Sequence, residues 1–375
     1  MIGRLPFIWA TFLAVILAGC WDERLLKEHS LVLSIGYDLG TDETIIKTVT
    51  FPQESSGDPQ QNSPATQSNV ITTTGDTVKD AENQLDRLIP EKFDRSKAKV
   101  ILLGESLAAN GIFSTLDSIY RDLRGPLNAS VAIVKGTAKD ASNLKVNYSR
   151  PISDFYSELL ISAGESGLTK NENVQSICPI ILSDVKDIVV PYIRVTENSN
   201  MAIVDGVALF SGDKMTGKLN IKESSMLLIL ADQTAKGTKM NLKVSSDKEK
   251  HDKNFVDFVI RKTKRKLNVY TDNDEIKANI DLTLQVEIDE FSSDQLYSEK
   301  KAKALSKEIE KKLNELAVKT IASIQEANND SLGLGEKVKA YHHSIWEKID
   351  WGESYPKVPI ETTFNVEILK HGILN

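Results

Sequence analysis

The strictest pattern in this chain is an unbroken alternation of apolar and polar residues between positions 276 and 288. Its apolar members are Ile276, Ala278, Ile280, Leu282, Leu284, Val286 and Ile288. Because successive side chains of a strand point to opposite faces of a sheet, this spacing predicts one long strand. We expect one face of its sheet to pack against a core and the other face to meet solvent.

The residues after this strand predict two helices and a closing strand. The pattern over residues 295–326 predicts a long amphipathic helix, whose apolar side consists of Leu305, Ile309, Leu313, Leu316, Thr320 and Ile324. A second helix is predicted over 335–349, and alternation over 360–368 predicts a strand. We expect this strand to return to the same sheet.

In the first half of the chain, segments with strand patterns alternate with segments with helix patterns. Strands are predicted within 31–51 (two of them), 99–103, 129–134, 201–210 and 215–221. The first predicted helix starts from an Asp76 cap and has an apolar face of Val78, Ala81, Leu85 and Leu88; the second has Ile112, Leu116, Ile119 and Leu123. This order indicates a mixed sheet covered by helices. Residues 53–69 are polar and predict a mobile loop, and 151–191 predict short helices and loops.

The fold class that follows is α+β (mixed α/β). At 375 residues the chain exceeds the usual size of one domain. We predict three successive mixed-sheet domains with flanking helices after a lipoprotein signal peptide. The predicted divisions are a signal peptide over 1–19, a mixed α/β domain over 20–200, a β-rich domain over 201–270, and a sheet-plus-long-helix domain over 271–375.

The amino-terminal leader predicts lipid attachment at Cys20. From Leu5 to Trp21 there are 17 residues without a charge, which is short for a membrane-spanning helix of about 20 residues. The run closes on small residues and a cysteine, as in a bacterial lipobox. Cleavage before Cys20 leaves a thiol that accepts a diacylglyceryl group. An uncleaved membrane anchor and a buried amino-terminal helix are the alternatives.

The charge argues against a nucleic-acid-binding protein, and the cysteine count argues against a disulfide-bonded one. The 46 basic and 53 acidic residues give a formal charge of −7, whereas proteins that bind nucleic acid show a basic footprint. With Cys20 acylated, Cys178 is the one remaining thiol, so we expect no internal disulfide. Its apolar neighbours predict that it is buried and unreactive.

No motif in the sequence predicts an enzyme, a metal site or a cofactor. The five histidines form no His-Glu-x-x-His pair and lie at no zinc-ligand spacing from cysteine. Asp184 and Asp187 are three residues apart, and we interpret them as a solvated helix edge rather than an acid/base couple. The basic run over 261–266 suggests contact with membrane phosphates or a partner. On a strand, however, Arg261 and Arg265 face one way and the lysines the other, which favours plain solvation.

Several segments, in order, resemble the Ger(x)C family, the lipoprotein C subunits of spore germinant receptors. The family opens with a lipobox followed by Trp-Asp, matched here by Gly19-Cys20-Trp21-Asp22. Segments similar to its strand-helix-strand block and its central strand pair include Gly104–Ala108, Gly111, Lys135–Ala138, Asp205–Phe210, Asp213 and Gly217–Leu219. A Trp–Trp–Pro–Gly series like the family's follows at Trp346, Trp351, Pro356 and Gly372.

The resemblance implies a non-catalytic subunit on the outer face of the spore inner (cell) membrane. It implies assembly with two integral-membrane germinant receptor subunits and contact with the lipid bilayer through the acylated amino terminus. It also implies three successive mixed α/β domains. Whether this subunit itself contacts a small molecule is left open.

A solute-binding lipoprotein that delivers nutrient to a permease is the alternative function. It predicts two similar α/β lobes around a cleft, which the long alternating strand and the long helix do not suggest. An extracytoplasmic hydrolase is a third hypothesis, but it lacks a recognisable nucleophile–base or metal set.

Overall fold

The computed structural model of the protein describes residues 29–52, 68–90, 92–146, 150–196, 200–245, 254–272, 275–291 and 298–371. Helices and mixed sheets alternate along the chain, which confirms the predicted α+β class. The signal peptide, Cys20 and nearly all of the predicted loop over 53–69 lie outside the described residues.

The described strands and helices are numbered in chain order. The strands are β1 (His29–Leu31), β2 (Ser34–Leu39), β3 (Ile45–Pro52), β4 (Ser68–Gly75), β5 (Lys92–Asp94), β6 (Val100–Gly104), β7 (Ser130–Val134), β8 (Val189–Thr196), β9 (Met201–Ser211), β10 (Lys214–Leu219), β11 (Thr238–Lys243), β12 (Phe255–Asp272), β13 (Glu275–Glu290) and β14 (Ile360–His371). The α-helices are α1 (Val78–Asp86), α2 (Glu105–Asn110), α3 (Phe113–Tyr120), α4 (Ala138–Ser142), α5 (Ile152–Glu165), α6 (Val174–Ile181), α7 (Ile221–Leu230), α8 (Glu299–Glu326), α9 (Leu334–Tyr341), α10 (His343–Trp346) and α11 (Trp351–Ser354).

The first sheet has eight strands in the order β10-β9-β8-β7-β6-β2-β3-β4. Its centre is parallel, because β2, β6, β7 and β8 pair in the same direction. The central strands β6 and β7 are buried on both faces, as their continuous apolar sequences require. Helices α1, α3 and α6 contribute to the core on one face, and α4 and α5 to the core on the other.

The second sheet has four strands in the order β11-β12-β13-β14. Every second residue of β13 from Ile276 to Ile288 is buried, which confirms the predicted alternation. Strand β14 pairs with β13 in parallel, so the chain returns to the same sheet after its helices, as predicted. The Val366 N–H donates to Glu310 of α8 at 2.9 Å.

The core of the second sheet extends onto the first. It contains the inward residues of β13 and α8 together with Val207 and Leu209 of β9 and Leu219 of β10. The pairing also crosses both predicted domain boundaries, because β8 pairs with β9 around residue 200 and β12 with β13 around residue 270. The division into three domains therefore stays a prediction, and the main sheets are two.

Several helix boundaries differ from the predicted ones. Thr77, and not Asp76, caps α1, because its hydroxyl accepts from the Asp80 N–H at 3.1 Å. Leu88 and Leu123 were assigned to apolar faces but are 60% and 104% exposed. Each lies beyond the last residue of its helix, where helical spacing no longer orients a side chain toward the core. The helix predicted over 335–349 is interrupted at His342, whose backbone is non-helical.

Candidate functional site

The predicted lipid-attachment residue, Cys20, precedes the first described residue, so its modification stays a prediction. Across the described ranges between residues 29 and 371, no helix has both the length and the apolar content of a membrane span. Over the same ranges, histidine, cysteine and acidic side chains form no group of three that can hold a metal ion.

The two aspartates three residues apart have different surroundings. Asp184 is exposed and bonds Lys339 of α9 at 2.9 Å through both carboxylate oxygens. Asp187 is half-buried and accepts the N–H groups of Gly212 and Asp330, each at 2.8 Å. The predicted helix edge is wrong for both residues, because they lie in the loop between α6 and β8. Asp184 is solvated as predicted, whereas Asp187 is not.

Asp187 belongs to a seam that joins the two sheets, which we define as Asp187, Gly212, Asn329 and Asp330. Asn329 is fully buried, and its amide donates to the carbonyl oxygens of Ile188 at 2.9 Å and Phe210 at 2.7 Å. These carbonyls lie beside β8 and in β9 of the first sheet, whereas Asn329 follows α8 of the second. The seam therefore fixes the segment after α8 against strand ends of the first sheet.

Asp330 is the most heavily bonded carboxylate of the seam. Its Oδ1 accepts the N–H groups of Gly333 and Leu334 at 3.0 Å. Its Oδ2 accepts the Gly335 N–H at 2.7 Å and the Trp351 Nε1–H at 3.1 Å. The carboxylate thus binds the start of α9, where free N–H groups attract a negative charge.

Burial sets the protonation of both seam carboxylates. It raises the pKa of Asp330 to about 7, against the lowering effect of the Gly335, Leu334 and Trp351 donors. Burial also raises the pKa of Asp187, against the Gly212 and Asp330 N–H groups. Both carboxylates accept N–H donors from the segments that meet at the seam, which indicates that they hold these segments together.

The tryptophans of the Trp–Trp–Pro–Gly series pack beside this seam. The ring centroids of Trp346 and Trp351 are 5.7 Å apart, and Trp351 and Tyr355 are 5.8 Å apart. A cavity of about 120 Å³ lies between this aromatic group and the seam. That volume is below the ~300–1,000 Å³ of usual small-molecule sites.

The strand-helix-strand block of the family pattern contacts its central strand pair. Gly111 has φ +130°, and a Cβ there would lie 2.7 Å from Oδ2 of Asp213. The Asp213 backbone oxygen accepts the Ile112 N–H at 3.0 Å. The end of α2 and the turn before β10 therefore meet.

Sequence reasoning missed a buried ionic network on the first sheet. Lys47 of β3 is completely buried and bonds Glu82 of α1 at 2.8 Å. Glu82 also pairs with Arg95, which in turn bonds Asp122. Burial lowers the pKa of Lys47 to about 8 despite the charge of Glu82. The only sequence signal was the position of Lys47 between Ile45 and Val49 on one strand face.

Cys178 and the basic run partly match their predictions. Cys178 is buried, and burial raises its pKa to about 11, so the thiol stays protonated at neutral pH.

In the basic run over 261–266, Arg265 turns toward the packed side and donates to Leu332 O at 3.0 Å, while the lysines are exposed. Arg261 was assigned to the side of Arg265, but it pairs with exposed-face Glu287 because a bulge follows Ile260.

Comparison with known proteins identifies relatives along the whole described chain. A profile described as the spore germination protein N-terminal domain matches residues 22–195. A second profile, described as spore germination B3/GerAC like, C-terminal, matches residues 205–372.

Individual relatives agree with these profiles. Spore germination protein GerQC of Bacillus cereus is 23% identical over 371 residues, which cover 97% of this chain and 99% of that protein. Spore germination protein KC of Bacillus subtilis (strain 168) is 21% identical, covering 96% of this chain and 94% of that protein. The crystal structure of the GerBC protein has the same fold, with a TM-score of 0.58 over 89% of this chain and 96% of that chain at 19% identity. The chain therefore belongs to the Ger(x)C family of spore germination proteins, as its ordered sequence motifs predicted.

Proposed function

We propose that this protein is the lipid-anchored C subunit of a nutrient germinant receptor. It sits on the outer face of the spore inner membrane and acts in germination through contacts with two integral-membrane subunits. The observation that carries this proposal is the family match, which extends over both halves of the chain. The subunit contributes binding surfaces and no catalysis of its own.

The lipid on Cys20 gives this proposal its physical basis. One acyl chain holds a protein at a membrane weakly and reversibly, whereas two chains hold it stably, since each buried methylene contributes ~0.8 kcal/mol. A diacylated Cys20 confines the folded part of the chain to the membrane surface. Confinement raises its effective concentration beside membrane-embedded partners.

Replacement of Cys20 tests the anchor. We expect Cys20→Ala to deplete the protein from the membrane fraction of spores, measured by immunoblot after fractionation, because the acyl acceptor is gone. Cys178→Ala is the matched control, since it removes the other thiol from a buried position and leaves the anchor. Normal membrane levels of the Cys20→Ala protein, or a native mass spectrum with an unmodified residue 20, would contradict the proposal.

Titration separates the receptor subunit from the solute-binding lipoprotein. Calorimetric titration of the purified protein with amino acids and sugars is expected to give no saturable heat. Saturable binding of one of these nutrients would favour the solute binder and count against a subunit that acts through protein contacts alone.

A further inference from the structure

An exposed apolar and basic surface lies where the described chain begins. We name it the tether face and define it by Leu88, Tyr120 and Leu123 together with the exposed basic residues Arg87, Lys97, Arg121 and Arg124. The three apolar side chains are 60%, 39% and 104% exposed, in that order. Single exposed apolar side chains are ordinary on protein surfaces. These three differ because they are grouped with basic residues at one end of the molecule.

Strand pairing places the Leu88 part of this face beside β1, the first described strand. Leu88 ends the turn after α1, and β5 begins four residues later. Strand β5 pairs in parallel with β1, with His29 opposite Lys92. The Val32 N–H then donates to the Asp94 oxygen at 2.9 Å. His29, the first described residue, therefore lies beside the start of β5, close to this turn.

Ion pairs hold the other part of the face, residues 120–124, near the end of β5. Arg95, directly after β5, bonds both Glu82 of α1 and Asp122. Asp122 lies between Tyr120 and Leu123, so residues 120–124 are held against the end of β5. The exposed side chains after α1 and after α3 thus belong to one end of the first sheet.

The length of the preceding chain limits how far this end can lie from the bilayer. Eight residues separate Cys20 from His29. At about 3.3–3.6 Å per residue, even a fully extended segment reaches only about 30 Å. This step rests on the proposed anchor at Cys20, and it keeps His29, which lies beside the tether face, within that distance of the acyl chains.

The composition of the face matches a lipid surface. Leucine, tyrosine and arginine side chains are the types that enter the headgroup region, with apolar atoms inward and charges at the phosphates. Asp117 pairs with Arg121 and Asp122 with Arg95, so the net charge of the face comes from Arg87, Lys97 and Arg124 against the exposed Asp86. The chain as a whole carries −7, so anionic lipids attract this end more than the rest of the surface.

We propose that the tether face lies on the bilayer, with Leu88 and Leu123 inserted among the lipid headgroups, and that it fixes the orientation of the anchored protein. A lipid tether alone leaves a folded domain free to tumble at the surface. The tether face removes that freedom and holds the first sheet against the membrane in one orientation.

An environment-sensitive dye on the full lipid-anchored chain tests this orientation. A nitrobenzoxadiazole dye is attached at Leu123→Cys, and in a control protein at Val318→Cys, an exposed site on α8. Cys178 is buried and does not compete for the label. Each protein is reconstituted in vesicles of phosphatidylcholine and phosphatidylglycerol in equal parts, with and without nitroxide lipids.

We expect the emission of the dye at position 123 to shift to shorter wavelength and to be quenched by nitroxide lipids, while the dye at position 318 changes little. If the protein floats with the vesicles but position 123 stays aqueous, or both positions respond alike, the orientation is wrong and the anchor stands. If the unlabelled protein does not float with vesicles, the anchor and the orientation both fail. Protection of position 123 only in membranes that contain the integral subunits would identify a protein partner and overturn the proposal.

Discussion

At the scale of single residues, Lys47 shows that a charge can be buried completely when its partners are already in place. Its ammonium group bonds Glu82 at 2.8 Å and lies 4.9 Å from the centre of the Phe93 ring. Removing one partner of a buried ion pair leaves the other charge uncompensated, which costs more than the pair contributes. The network therefore connects α1 to the sheet at one well-defined point.

We expect Lys47→Met to lower the free energy of unfolding by about 3 kcal/mol, because Glu82 loses one of its two buried partners and keeps only Arg95. Urea denaturation measures the change. Lys79→Met is the matched control, since Lys79 bonds the same Glu82 carboxylate at 2.9 Å but its side chain is 66% exposed. That variant is expected to cost less than about 1 kcal/mol. Equal losses in the two variants would show that burial does not decide the effect.

At the scale of elements, the sequence predicted those features that depend on neighbouring residues. The alternation in β13 and the return of the chain to its sheet through β14 were predicted, because each strand carries its signal along one segment; the parallel direction of β14 was found from the structure. The exposure of Leu88 and Leu123 was not, since helical spacing does not show where a helix ends. The same limit applies to the seam, where Asp187 and Asp330 are 143 residues apart and no local pattern connects them.

Helix α9 depends on one glycine at its start. A Cβ on Gly335 would lie 2.7 Å from Trp351 Nε1 and 2.7 Å from the Val185 oxygen. We expect Gly335→Ala to destabilise the protein by about 1–3 kcal/mol, because the indole must leave its bond to Asp330. Thermal unfolding followed by tryptophan fluorescence measures this.

Gly352→Ala is the control for that substitution. Gly352 lies in α11, where an added Cβ meets its nearest atom, Asp350 Oδ1, at 3.3 Å. Alanine favours helix by up to about 1 kcal/mol relative to glycine, so the midpoint should stay close to that of the unsubstituted protein. A Gly335→Ala protein as stable as this control would show that the indole does not need the space.

At the scale of the whole molecule, the hydrogen bonds of the seam join the two sheets. Asn329 donates to a carbonyl of the first sheet, and Asp330 accepts N–H groups at the start of α9. A substitution at either residue therefore removes contacts at the junction of the two sheets. The predicted boundary at 200 did not indicate such a joint. The family match shows to which family the chain belongs, but the residues of the seam were found only from the structure.

The seam predicts how stability depends on pH. Burial raises the pKa of Asp330 from 3.8 to about 7, so the folded state holds this proton more tightly than the unfolded state. The resulting stabilisation is complete below about pH 4 and is lost as the pH rises to about 7, by at most about 4 kcal/mol. Asp187, whose pKa is also raised, acts in the same direction.

Denaturation of the unsubstituted protein and of Asp330→Asn across this pH range measures the contribution. The variant has no carboxyl group to titrate at position 330, so its unfolding free energy should fall less steeply between about pH 4 and pH 7. Parallel pH dependences in the two proteins would mean that Asp330 keeps its usual acidity when folded.

The carboxylate of Glu310 has an effect beyond the helix that carries it. A strand at the border of a sheet offers free N–H groups to any extended chain that approaches, including one from an identical molecule. On β14 the Val366 N–H is not free for such pairing, because it already donates to the Glu310 carboxylate. Copies crowded together are thereby discouraged from joining their sheets into aggregates.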